Sequence, residues 1–284
     1  MTSNKTKVWF VTGGSSGLGR AVVTYALEQG NQVIATMRKP SSISDLVAKY
    51  SEDQLLVIKL DVCSASDITT VFAQAIEKFD RIDVVYNNAG YAALGEIEGT
   101  ADDVARAMFE VNFWGSTNVA REAVRVFRDV NTPSGGRLIQ ASSGNGIQGR
   151  PAVGYYGASK HAVEGISEAL SKELHPSWNI KITILVLGGF KTRAAESLVT
   201  LPAHPAYTSH DCPTAVVRKF LSHQARDLGA DPDKAAREIY KIAFDDSVGL
   251  RVPLGLDSLK LVENQLDSIR KDVESSRKWS ADLK

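Results

Sequence analysis

Tyr156 and Lys160 stand four residues apart in the stretch SSGNGIQGRPAVGYYGASK, and AVEGISEALSKEL follows with Ala162, Ile166, Ala169, Leu170 and Leu174 at helical spacing. The two side chains therefore share one helix face. A phenol loses its proton near pH ~10, too high for a general base, but an ammonium one turn away favours the phenolate and lowers that value. Such a pair can move protons near neutral pH. Thirteen residues before the tyrosine, Ser143 closes the strand-like run RLIQASS and offers a hydroxyl to a carbonyl oxygen. The plain alternative is an ordinary i,i+4 pair on an exposed helix, so the surrounding stretches decide.

After the apolar run VWFV, Thr12-Gly13-Gly14-Ser15-Ser16-Gly17-Leu18-Gly19 opens the helical pattern GRAVVTYALEQG. Glycines between a strand and a helix let the backbone turn sharply and approach a pyrophosphate, while the free amides and positive end of the helix receive its charge. The next strand-like run ends at Met37 and Arg38, with no acidic side chain to hold a ribose 2′-hydroxyl. A guanidinium there suits a 2′-phosphate, which it can bind through two hydrogen bonds. The alternative for Arg38, and for Lys39 beside it, is a solvated surface cation. Further on, Asn87-Asn88-Ala89-Gly90 follows the run IDVVY, and Asn112 lies in EVNFWGS.

In this order and spacing, TGGSSGLG, NNAG, Asn112, Ser143 and the YxxxK pair resemble the short-chain dehydrogenase/reductase family, in its form of about 250 residues. The resemblance runs from Lys7 to about Leu256. It implies hydride transfer between NADP(H), preferred over NAD(H), and a ketone or aldehyde/alcohol pair. In the reducing direction Ser143 would hydrogen-bond the oxygen and Tyr156 would donate the proton. Lys160 would lower the tyrosine pKa and hold the nicotinamide ribose, and Asn112 would hold a water in a proton relay. Gly13, Ser15, Ser16, Gly17, Leu18 and Gly19 are the expected pyrophosphate contacts, with Asp61 and Val62 at the adenine and Asn88, Ala89 and Gly90 along the ribose. After the sixth strand-like run, members carry Pro-Gly before the segment that touches the nicotinamide amide. Here Gly188, Gly189 and Thr192 match, but Leu187 stands where the proline would be. The contacts of Gly189 and Thr192 are expected nonetheless.

Length and composition agree with one catalytic domain. At 284 residues the chain suits one large α/β domain spanning 1–284. The runs VWFVT, QVIATM, LLVIKLDV, DVVYN, RLIQAS and KITILVL alternate with helical patterns, which predicts a doubly wound parallel sheet of the Rossmann type with its crevice at the carboxyl ends of the strands. With 33 basic and 33 acidic residues, there is no electrostatic footprint for nucleic acid or an anionic membrane. A start without an apolar signal core and two cysteines in no redox or metal spacing, Cys63 and Cys212, read as a soluble cytoplasmic protein. His204, His210 and Cys212 fit no zinc pattern and read as a plain loop, so no metal is expected.

Two segments remain. Residues 193–229 follow the sixth strand and are expected to form a substrate lid, with Leu198, Val199, Leu201, Pro202 and Tyr207 closing over Tyr91, Leu94, Val153 and Tyr155 around a bulky, mainly apolar carbonyl compound. Ordinary core packing of these side chains is the alternative. Asp231-Pro232 is expected to cap a helix, and residues 257–284 to form a helical extension whose stripe Leu259, Val262, Leu266, Ile269 and Val273 covers the body of the domain, a partner surface being the alternative. The resemblance implies a homodimer or homotetramer, unless that extension blocks or replaces such packing. Two other functions fit the same motifs: reduction of an activated C=C bond, and a cofactor-binding regulator or scaffold without turnover.

Overall fold

The computed structural model describes residues 6–192, 198–223 and 229–283. Each predicted strand forms: β1 (Val8–Thr12), β2 (Gln32–Met37), β3 (Leu55–Lys59), β4 (Val84–Asn87), β6 (Gly136–Ala141) and β7 (Ile180–Leu187). Between β4 and β6 lies a two-residue strand, β5 (Ala93–Leu94). The near-continuous apolar character of β1, β2 and β4 suits strands buried on both faces, and all pairs in the sheet are parallel. Side chains alternate across the sheet. Trp9 and Val11 point to one face, where they pack with helices α1 (Gly17–Glu28) and α8 (Pro232–Phe244), and Val8 and Phe10 point to the other, against α3 (Ala65–Phe79) and α5 (Ser116–Arg125). Two ring pairs fix these layers: Trp9 stacks on Tyr240 at 5.5 Å and Phe10 on Phe72 at 4.2 Å.

With a seventh strand, β9 (Arg251–Leu254), the strand order is β3-β2-β1-β4-β6-β7-β9, so the chain direction across the sheet reverses between β1 and β4. A crevice at such a switch point, outside the carboxyl ends, is where open α/β sheets take ligands. This seventh strand is a correction to the six read from sequence. Its RVPL run is short and contains Pro253, which argues against a central strand; β9 pairs only with β7, at the sheet edge, where proline is tolerated. A separate two-stranded piece pairs β5 with β8 (Val199–Thr200), which follows the sixth predicted strand by about a dozen residues.

Asp231 caps α8 as expected, its carboxylate accepting from the amides of Asp233 and Lys234 at 2.8 and 3.3 Å. The C-terminal extension corrects another expectation. Helix α9 (Leu256–Ser280) forms, but only its first turns touch the body, and Leu259, Leu266, Ile269 and Val273 are all about half exposed, so the stripe does not cover the domain. Among the described residues, no helix is long and apolar enough to cross a membrane.

Candidate active site

Four predicted side chains meet at the carboxyl ends of β4 and β6. Ser143 lies just past β6 and caps a short turn, its Oγ accepting from the amide of Asn145 at 3.2 Å. Its hydroxyl lies near enough to that of Tyr156, in the first turn of helix α6 (Gly154–Glu173), to act on the phenol's pKa. Lys160, one turn further, is buried and sends its Nζ to the carbonyl of Ala141 at 2.9 Å, 6.0 Å from the Tyr156 ring centroid. Asn112 sits in a π-helical segment between helix α4 (Asp102–Phe109) and α5, a distortion that often accompanies functional positions. Its Oδ1 accepts from the Tyr91 amide at 3.0 Å, and its Nδ2 donates to the Tyr91 carbonyl and to Ser159 Oγ at 2.9 and 3.0 Å. The asparagine side chain thus ties the NNAG loop to the tyrosine helix.

The electrostatics differ in part from expectation. Burial pushes the Tyr156 phenol up, and the neighbouring Ser143 hydroxyl pulls it down; the net direction is upward, and Lys160 is not the group opposing it. Burial also lowers the Lys160 ammonium to about 8, while the Glu164 carboxylate one turn along the helix holds it up. Glu164 is itself only 4% exposed, with one oxygen bonded to Arg251 Nε of β9 at 2.8 Å. Sequence reading missed this residue because its partner is 87 positions away.

The glycine-rich turn leaves backbone bare at the switch point. Gly13 and Gly17 have φ of +68° and +55°, and a Cβ at Gly19 would collide with the Gly13 carbonyl. Helix α1 has no side-chain cap from Ser16 and no acid in its first turn, and the leading amides of a helix have no partner within the helix itself. Thr12 Oγ1 accepts from the amides of Asn88 and Ala89 at 2.8 and 2.9 Å, and Asn88 Nδ2 donates to the Thr12 carbonyl at 3.0 Å. Gly90 passes so close to Asn112 that an added Cβ would lie 3.0 Å from its Oδ1 and 3.5 Å from Lys160 Nζ. Arg38 follows β2, exposed, and its charge reaches Cys63 and Tyr91 across the mouth of the crevice. Asp61 accepts from the Cys63 amide at 3.0 Å, and buried Val62 packs where a Cβ on Gly115 would go. Ser15 and Leu18 lie in the same turn, and Gly189 and Thr192 lead from β7 back to it, the Thr192 side chain standing 3.3 Å from where a Gly17 Cβ would be.

The expected lid is reached in part. Residues 193–197 and 224–228 lie outside the described residues. Leu198 packs against Leu94, Ala152 and Val153, as do Tyr156 and the Val217 and Leu221 side chains of helix α7 (Pro213–His223), which sequence reading did not single out. Val199 and Pro202 instead face outward, and Tyr207 packs edge-on against His204. The Tyr91 phenol is pushed up by burial and feels the charge of Arg38, which lowers it. A latch also went unseen: buried Glu96, just after β5, takes two hydrogen bonds of 2.7 Å from Arg218 of α7. On the opposite side, Leu261 of α9 comes within 3.2 Å of a Cβ position on Gly144, and Gln148 donates to Gln265 at 3.3 Å.

Known proteins share this arrangement. Residues 7–201 match the family model described as short chain dehydrogenase. An uncharacterised oxidoreductase of Schizosaccharomyces pombe is 38% identical over 94% of this chain and 88% of its own. A short-chain dehydrogenase from Streptomyces avermitilis superposes with a TM-score of 0.86 at 31% identity, covering 98% of both chains. At 21% identity, a Burkholderia phymatum member of the same fold, solved with NAD, superposes with a TM-score of 0.79 over 96% of this chain and 97% of its own. A match over most of the sequence and a superposition from end to end make this chain an oxidoreductase of the short-chain dehydrogenase/reductase family.

Proposed function

We propose that the protein is an NADP(H)-dependent oxidoreductase that interconverts a bulky, mainly apolar ketone or aldehyde with its alcohol. The observation that carries this reading is the juxtaposition of the Ser143 hydroxyl and Tyr156, with buried Lys160 one turn away, beside an apolar wall of Leu94, Val153, Leu198, Val217 and Leu221. The bare glycine turn and the uncapped amides of α1 fit a dinucleotide pyrophosphate, and Arg38 suits a 2′-phosphate. A nicotinamide dinucleotide bound there supplies or accepts the hydride.

The chain's own residues do the rest. Ser143 donates to the carbonyl oxygen and aligns it with the Tyr156 hydroxyl. Tyr156, kept protonated by burial, gives its proton to that oxygen as negative charge develops there. Lys160 places a positive charge next to the phenolate left behind, and Asn112 holds the NNAG loop and the tyrosine helix in register. The apolar wall excludes water and favours large apolar substrates.

The test is a panel of carbonyls assayed with NADPH and NADH. Bulky cyclic or aromatic ketones should be reduced with lower KM than small sugars or 2-oxo acids. Tyr156→Phe keeps the ring and loses the hydroxyl, so turnover should fall about a hundredfold or more with cofactor binding intact. Tight NADPH binding with no turnover on any carbonyl would favour a regulator instead, and full activity in Tyr156→Phe would remove the proton donor from the scheme.

A further inference from the structure

The segment Gly188–Thr192 bridges the end of β7 and the glycine-rich turn, and its conformation is fixed from two sides. On one side the Lys191 amide donates to the Ala230 carbonyl at 2.8 Å, and the Ala230 amide to the Gly189 carbonyl at 2.9 Å. On the other side stands Asp257, in the first turn of α9. Its Oδ2 accepts from the Gly189 amide at 2.7 Å, and its Oδ1 occupies the space a side chain at Gly188 would need. The Gly188 amide in turn donates to the Leu254 carbonyl of β9 at 3.0 Å, and Ser258 Oγ donates to Val186 O at 2.5 Å. The chain reaches α9 through Gly255 at φ +111°, which brings Asp257 back over the segment. Residue 187 is leucine, so no proline ring stiffens the turn.

We propose that Asp257 is a positioning residue for the nicotinamide half of the cofactor: its carboxylate pins Gly188–Gly189 and sets the path of Phe190–Thr192 across the crevice. The idea rests on the dinucleotide reading above and extends it to a residue of the C-terminal extension, beyond the stretch 7–201 that the family model matches. A carboxylate that accepts a backbone amide and fills the space beside Gly188 removes the freedom that a Leu-Gly-Gly sequence would otherwise have. The constraint comes from α9, so the first turn of the extension becomes part of the cofactor crevice at its nicotinamide end, while Arg38, after β2, serves the other half of the dinucleotide.

The experiment uses the full chain and two ligands, NADPH and 2′-phospho-ADP-ribose, which lacks the nicotinamide. Asp257 is exposed, so its substitutions should leave the melting temperature near that of the wild type. Asp257→Ala should weaken NADPH roughly tenfold and leave 2′-phospho-ADP-ribose within about twofold. Asp257→Asn keeps an acceptor oxygen and should restore most of the NADPH affinity. Adding Leu187→Pro to Asp257→Ala should also recover part of it, because the ring stiffens the turn by another route. The proposal is overturned if Asp257→Ala leaves NADPH binding unchanged, if it weakens both ligands equally, or if Asn behaves like Ala. Failure of the wild type to bind either ligand would sink the dinucleotide reading and this proposal together, whereas a failure confined to the variants sinks only the role of Asp257.

Discussion

Arg38 and Glu164 each carry a charge whose removal has a calculable sign. With no acidic side chain at Met37 to repel it, a 2′-phosphate bound as proposed would face the Arg38 guanidinium at the end of β2, with Lys39 beside it. A charge-assisted contact contributes about 1.5–3 kcal/mol, so Arg38→Ala should weaken NADPH roughly ten- to a hundredfold and NADH little. Equal losses for both cofactors, measured by fluorescence titration, would remove Arg38 from phosphate recognition. Glu164 acts on pH dependence. Burial holds the Lys160 ammonium at about 8, so it is charged below that pH and neutral above it. Reductase activity should therefore fall on the alkaline side near that value. The Glu164 carboxylate favours the charged form, so Glu164→Gln should lower the lysine pKa and move the alkaline limb toward acid. A profile that stays in place would show that Glu164 serves only its bond to Arg251.

Elements were legible in the sequence where local pattern alone decides them. Five of the six predicted strands are mostly buried apolar runs, and β3 is an apolar run that is mostly half-buried. Ser143 could be marked because its motif closes a strand, and Tyr156 and Lys160 because theirs opens a helix, whereas Asn112, inside a continuous helical stretch, was marked by the family pattern. What stayed hidden depends on partners far along the chain. β9 is recognisable only beside β7, and the Glu96–Arg218 latch joins residues 122 positions apart. Glu96 looks like any surface acid until α7 packs over it. Because Arg218 bonds it on both oxygens, its carboxyl is held at about 2. That stabilisation is fully present above the ordinary carboxylate value of 4.5 and is lost as pH falls through about 2. Breaking one side of a buried pair costs about 3–5 kcal/mol. Glu96→Ala should therefore loosen α7 and speed proteolysis within 198–223, raising KM for an apolar ketone while cofactor affinity holds. Unchanged protease resistance would mean that the apolar cluster around Leu198, Val217 and Leu221 holds α7 without the latch.

At the scale of the whole molecule, α9 divides into a half that belongs to the site and a half that stands exposed. Asp257, Ser258, Leu261 and Gln265 contact the ends of β7 and the turn after Ser143, whereas residues 266–283 are exposed throughout. A helical segment of this length is marginal in water without packing, so the distal half adds little to the stability of the domain. Its ion pairs, Arg270–Asp267 and Arg277–Glu274, are exposed i,i+3 pairs of the kind that contribute about 0.5 kcal/mol or less. Ending the chain after Ser268 should accordingly leave the melting temperature within about 2 °C and kcat/KM within about twofold of the full chain. Ending it before Asp257 should instead cost cofactor affinity, because Gly188–Gly189 loses its clamp. The two truncations, compared by thermal melting, NADPH titration and sedimentation, separate the roles of the two halves. If the shorter cut lowers the melting temperature or changes the sedimentation coefficient beyond the loss of mass, the Leu266, Ile269 and Val273 stripe is covered in solution by a second copy, and the division drawn here fails.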